Sequence, residues 1–147
     1  MKYDIILFDL DGTLTNPKEG ITKCVQYALG KMNIIEDDLE KLVPFIGPPL
    51  MQTFKETYQL TDEDANKALA YYRERFSTVG LYENAVFPGI PELLEKLTAQ
   101  GKTLFVATSK PTVFSVRILE HFGLQKYFQA IIGSNLDGTR VEKNEVI

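Results

Sequence analysis

The sequence predicts an α/β protein, a doubly wound parallel sheet carrying an inserted α-helical cap, and two observations lead there. Three short apolar runs, "IILF" at 5–8, "TLFVAT" at 103–108 and "FQAIIGS" at 128–134, are joined after residue 87 by stretches of helical periodicity. Strand, helix, strand, helix, strand in that order folds as right-handed crossovers in a parallel sheet. The second observation is that residues 17–83 show helical spacing throughout, which separates the first strand from the rest of the sheet. The expected division is therefore 1–16 and 84–147 for the sheet core, with 17–83 as a cap over the strand ends.

Each element has its own reason. Residues 4–10 read as a buried strand, because a short run rich in β-formers is stopped by an Asp-Gly turn signal, and continuous apolar runs suit a parallel sheet covered on both faces. In the insert, Ile21, Val25, Ala28, Leu29 and Met32 share one helical face. Leu39, Leu42 and Val43 follow, and Ala65, Leu69, Tyr72 and Phe76 form another stripe. Thr61, with Asp64 three residues on, reads as an N-cap. Gly47, Pro48 and Pro49 in "FIGPPL" enforce a break between helices. After "FPG", Ile90, Leu93, Leu94 and Leu97 make a helix stopped by Gly101. Pro111 is placed at N1 of a further helix, with Val113, Val116, Leu119 and Phe122 inside.

The 147 residues are 44% hydrophobic with a net charge of −4, an ordinary globular composition. That charge argues against a nucleic-acid or anionic-membrane partner and leaves room for a local basic pocket holding one phosphate. Cys24, the one cysteine, cannot form an internal disulfide. No signal peptide is legible in "MKYDIILFDLD", and no apolar run approaches the roughly 20 residues that span a bilayer. The cytoplasm is the expected compartment. Nothing in the sequence separates a monomer from a homodimer.

The chemistry lies where the strands end. Ligands of open α/β sheets bind beyond the carboxyl ends of the strands, and Asp9, Asp11, Thr108 and Ser109 all fall there. Two residues apart on a strand, Asp9 and Asp11 point into one crevice. Carboxylates that close divide their roles or share a cation, so one reads as nucleophile and the other as acid. Gly12 lets backbone approach a phosphate, and Thr13 offers it a hydroxyl and an amide. Thr108, Ser109 and Lys110, just before a helix N-terminus, form an anion site, to which Lys110 or Lys143 adds positive charge. Hard oxygen ligands imply Mg²⁺. The plainer readings are an Asp-Gly turn, a Thr/Ser helix cap and a surface lysine, with His121 solvated at a helix end and Cys24, Tyr71, Tyr72 and Phe76 packing the cap.

These residues resemble the haloacid dehalogenase superfamily of aspartate-nucleophile phosphatases, in the branch with a helical cap and close to phosphoglycolate-phosphatase-like members. "DLDGT" meets the first motif, Thr108 in "FVATSK" the second, and Lys143 in "DGTRVEKNEVI" the third. The resemblance implies that Asp9 attacks phosphorus to form an aspartyl-phosphate and that Asp11 protonates the leaving oxygen and then activates water. It implies that Mg²⁺ sits on the Asp9 carboxylate and the Asp11 backbone carbonyl. Thr13, Thr108, Ser109 and Lys143 would hold phosphoryl oxygens, and the loop around Gly47 would reach the leaving group.

The family's fourth motif, acidic residues after a further strand, has no counterpart before Ile147. The expectation is a fragment of a longer protein, with its first strand at a sheet edge, weak Mg²⁺ binding and little or no turnover. Rivals within the superfamily are a 5'-nucleotidase, a pyrophosphatase and a sugar phosphomutase. Asp11 argues against a dehalogenase, and Lys18, Lys23 and Lys31 leave a phosphonatase open. From another class, a non-catalytic phosphate-binding module remains.

Overall fold

The computed structural model describes residues 4–135. The chain divides into two compact units, one made of residues up to Asn16 and from Ala85 onward, the other of Pro17–Asn84.

The first unit holds a three-stranded parallel sheet in the order β1 (Ile5–Phe8), β4 (Thr103–Pro111), β5 (Phe128–Ser134), and a two-stranded antiparallel pair, β2 (Thr15–Asn16) with β3 (Ala85–Val86). Helix α4 (Ile90–Ala99) precedes β4, and α5 (Thr112–His121) joins β4 to β5. Leu10, Leu14, Leu94, Leu104, Val106, Ile118 and Leu119 form its buried core. As expected, the alternation of strand and helix builds a parallel sheet, and the third apolar run is a strand over the predicted residues.

Three expectations change. β1 stops at Phe8, so Asp9 and Asp11 stand in the following turn and not on a strand. The cause is local: the Leu10 carbonyl accepts the amides of Thr13, Leu14 and Thr15, which folds the chain back at once. β1 is also not covered on both faces. Among the described residues it pairs only with β4, at the sheet edge, and Ile5 and Leu7 are 63% and 49% exposed. The helix after β4 is shifted in phase as well. Pro111 is its N-cap and not N1, and Phe114, Ser115, Ile118 and Leu119 turn inward while Val113 is exposed.

The second unit is helical: α1 (Lys18–Lys31), α2 (Leu50–Tyr58) and α3 (Asp62–Phe76), with 3-10 turns at Leu39–Phe45 and Gly80–Tyr82. Ile21, Val25, Ala28 and Leu29 of α1 are buried, with Ala65, Ala68, Tyr72 and Phe76 of α3. Phe45 and Phe54 pack with ring centroids 4.9 Å apart. Thr61 caps α3 as predicted, its hydroxyl accepting the Asp64 amide at 3.1 Å. The Leu39–Phe45 stretch is a tight 3-10 turn and not an α-helix, with Pro44 inside it, since proline removes an amide that longer helical bonding needs.

Near the end of this unit Arg75 grips Glu83 with two hydrogen bonds, 2.7 and 3.2 Å, and also donates to the buried Cys24 Sγ at 3.1 Å. Hydrogen bonding from Arg75, helped by the nearby Lys23, holds the Glu83 carboxyl below the usual glutamate value. A carboxyl with a depressed folded pKa contributes stability that is complete above its unfolded pKa and disappears as pH falls through the folded one. Glu83→Gln is expected to cost about 1–2 kcal/mol at neutral pH, from a lost charge-assisted pair. Thermal melting of both proteins from pH 7 down to pH 3 checks this, and the gap between them should narrow on the acid side.

Candidate active site

Because β1, β4 and β5 run parallel, their carboxyl ends share one edge of the sheet. The last β1–β4 pair is Phe8 with Val106, so Asp9 follows on one strand where Ala107 and Thr108 follow on the other. The turn after β1 then carries Asp11. Gly12 has φ +84° with nothing within 4 Å of where a Cβ would stand, and its amide bonds the Thr15 carbonyl at 2.8 Å. That open backbone conformation is available to glycine at little cost.

The two acids are held differently. Asp9 Oδ1 accepts the Leu10 amide at 2.8 Å, which fixes its carboxylate beside its own backbone. Asp11 Oδ2 meets the Lys110 ammonium at 3.0 Å, with the two side chains only 12% and 7% exposed. The other oxygen, Asp11 Oδ1, is buried with no hydrogen-bond partner among the described residues, as is the Thr15 hydroxyl. A buried unpaired carboxylate oxygen is costly unless something else meets it.

Thr108 is buried on β4, and its hydroxyl accepts the Lys110 amide at 3.1 Å. Ser109 follows on the same strand, partly exposed. The expectation that Thr108–Lys110 sit at a helix N-terminus is corrected, because β4 runs through to Pro111 and α5 starts at Thr112. The Thr112 hydroxyl is engaged by β5, accepting the Gly133 amide at 2.8 Å and donating to the Ser134 carbonyl at 3.4 Å.

Thr13 is exposed on the turn after Asp11. Gly47 lies in the helical unit with φ +108°, between the Leu39–Phe45 turn and α2. Lys143 lies outside the described residues. Among those residues no group of three or more His, Cys, Asp or Glu is placed to hold a metal; the acids at the sheet edge are a pair. Sequence reasoning missed the Lys110–Asp11 pair and the buried hydroxyl of Thr15. A strand, a turn and a crossover separate their partners, and no local pattern announces such a meeting.

The sequence profile of the haloacid dehalogenase-like hydrolases matches residues 6–143. The chain belongs to that family. It is 57% identical over its whole length to a 5'-nucleotidase of Pseudomonas aeruginosa, of which it covers 66%. It is 36% identical to the tyrosine-protein kinase PtkA of Mycobacterium tuberculosis over 97% of the chain and 48% of that protein. Among solved structures, one described as a predicted phosphatase from Clostridium acetobutylicum superposes with a TM-score of 0.95 at 53% identity, over 98% of this chain and 67% of that one. The chain thus spans about two thirds to one half of the curated relatives it matches. This hydrolase family membership agrees with the "DLDGT" turn at the end of β1.

Proposed function

We propose that the protein hydrolyses a small phosphomonoester in a Mg²⁺-dependent reaction through an aspartyl-phosphate on Asp9. The observation that carries this is the placement of two carboxylates with different partners in the turn at the carboxyl end of β1. Asp9 is fixed by its neighbour's amide, while Asp11 is buried beside a lysine with one oxygen unpartnered. Unlike environments divide nucleophile from acid.

In the first step an Asp9 oxygen attacks phosphorus, the ester P–O bond breaks, and the electron pair goes to the leaving oxygen, which takes a proton from Asp11 and departs as an alcohol. In the second, water gives that proton back to Asp11 as its oxygen attacks phosphorus, and the P–O bond to Asp9 breaks to release phosphate. Thr13, Thr108, Ser109 and Lys143 are proposed to bind phosphoryl oxygens, with helical residues 17–83 as a cap and the Gly47 loop reading the leaving group. Acidic residues in the turn with open backbone at Gly12 suit a hard cation. The Asp9 carboxylate and Asp11 backbone carbonyl would hold Mg²⁺, which supplies charge neutralisation between anions.

The relative named 5'-nucleotidase, 57% identical over the whole chain, favours a nucleoside 5'-monophosphate over phosphoglycolate as substrate. The test is phosphate release from p-nitrophenyl phosphate, nucleoside 5'-monophosphates and phosphoglycolate, each with Mg²⁺ and with chelator. It is run on this chain and on this chain joined to the part of the Pseudomonas relative that it does not cover. One carboxylate and one backbone carbonyl against the six oxygens Mg²⁺ prefers predict little turnover by the chain alone. The joined protein should turn over with Mg²⁺ and stop with chelator; no Mg²⁺-dependent release from any ester would sink the reading.

A further inference from the structure

The ladder between β4 and β5 breaks where the residues proposed to bind phosphate stand. Ala107 pairs with Ile132 and Pro111 with Ser134, so Thr108, Ser109 and Lys110 of β4 stand against Gly133 alone on β5. A strand that carries extra residues against its partner bulges, and bulges re-aim side chains. Glycine lets this one close, since a Cβ on residue 133 would stand 2.3 Å from the Lys110 carbonyl oxygen. The Gly133 amide finds its acceptor beyond the bulge, in the Thr112 hydroxyl at 2.8 Å, and that hydroxyl donates to the Ser134 carbonyl at 3.4 Å. One side chain at the start of α5 therefore ties two successive residues of β5 across the bulge. Inside it the Thr108 hydroxyl accepts the Lys110 amide at 3.1 Å. A hydroxyl that accepts there keeps its own proton to donate.

We infer that Thr112 is a positioning residue for the phosphoryl-binding segment: its hydroxyl takes the Gly133 amide, holds the bulge shut, and so fixes where Thr108 and Ser109 present their donors. This rests on the hydrolase reading above, in which those two residues bind phosphoryl oxygens, and Thr112 acts through them and not on the substrate. Without its hydroxyl the Gly133 amide loses its acceptor and regains one only by a shift of the strand. Donors serve the reaction when they are aimed to within a fraction of an ångström of the charge that develops on the phosphoryl oxygens, so a small shift costs rate out of proportion to stability. Because the phosphoryl group is common to every ester, that cost is the same whatever the leaving group.

The experiment uses the joined protein with Mg²⁺ and its Thr112→Val and Thr112→Ser variants, with kcat/KM for p-nitrophenyl phosphate and for a nucleoside 5'-monophosphate read well below each melting transition. Thr112→Val should lose at least about tenfold on both esters alike, and Thr112→Ser, which keeps the hydroxyl, should stay within about threefold of the unsubstituted protein. A Thr112→Val protein that melts lower yet keeps its rate makes the hydroxyl a matter of stability and overturns the proposal, as do equal losses in the two variants or a loss confined to one ester. No turnover by the unsubstituted protein overturns the hydrolase reading and this role with it. A second measurement needs no turnover: hydrogen exchange of the Gly133 amide in this chain, followed by NMR against the Ile118 amide inside α5 as internal standard. Gly133 should exchange at least about tenfold faster in Thr112→Val than in Thr112→Ser or the unsubstituted chain, and unchanged exchange overturns the bond on which the proposal stands.

Discussion

Asp9→Asn is expected to remove hydrolysis of p-nitrophenyl phosphate by about a thousandfold or more while leaving the melting temperature within about 2 °C. The asymmetry follows from how Asp9 is held. Its Oδ1 accepts the Leu10 amide at 2.8 Å, and an asparagine carbonyl oxygen accepts the same bond with the same shape, so this anchor of the turn after β1 is kept. What changes is the second atom, which becomes an amide nitrogen with no nucleophilic lone pair to offer phosphorus. The measurement pairs steady-state hydrolysis in the joined protein with acid-quenched trapping of radiolabelled phosphate on the chain. Label on the unsubstituted protein and none on the variant is the expected pattern. A variant that melts normally and still hydrolyses at a tenth of the original rate would remove Asp9 from the role of nucleophile.

The place of the two acids, at the carboxyl end of β1, was legible in "DLDGT", although they stand in a turn and not on the strand. Alternation along a strand was expected to aim Asp9 and Asp11 together, yet β1 ends at Phe8 and the turn does the aiming, through three amides gathered on the Leu10 carbonyl. Gly12 carries the information that permits this, in a positive φ of 84°. By contrast the anchor of Asp11 had no local signal. Lys110 sits beside Thr108 and Ser109 in a segment that invites a phosphate-binding reading, and only the parallel pairing of β1 with β4 brings it to the carboxylate.

Elements were most legible where sequence and environment agree. The run 128–134 is bounded, apolar and rich in β-formers, and Thr61 stands three residues ahead of an acid in helical context; both formed as expected. The phase of α5 was misjudged because both choices of face, Val113–Val116 or Phe114–Ile118, are apolar, and periodicity alone cannot choose between them. In the structure the inward face is Phe114, Ser115, Ile118 and Leu119. β2 and β3, two residues each, are too short for any periodic signal; their pairing across the ends of the helical insert is a tertiary fact. β1 was expected at a sheet edge and stands at the edge of the described sheet; what was misjudged is its burial, since Ile5 and Leu7 are exposed.

Gly133→Ala is expected to cost about 2–3 kcal/mol and to lower the melting temperature by about 5–10 °C, with loss of activity beyond what that destabilisation explains. A Cβ on residue 133 would stand 2.3 Å from the Lys110 carbonyl oxygen and 2.8 Å from the Thr112 nitrogen. These are backbone atoms of β4 and α5 and cannot swing aside as a side chain does. The same position spends its amide on the Thr112 hydroxyl at 2.8 Å, so moving β5 away to admit the methyl would break that bond too. The segment that must yield carries Thr108, Ser109 and Lys110, and a displaced Lys110 no longer meets Asp11 at 3.0 Å. Gly30→Ala is the control, because nothing lies within 4 Å of its Cβ position in α1, and alanine in a helix is favoured over glycine by up to about 1 kcal/mol. Melting curves of both variants, with kcat/KM of the joined protein measured well below the transition, give the answer. A Gly133→Ala protein that melts like Gly30→Ala would mean that the strand end is loose enough to absorb a methyl, and a site built on its rigidity would lose its foundation.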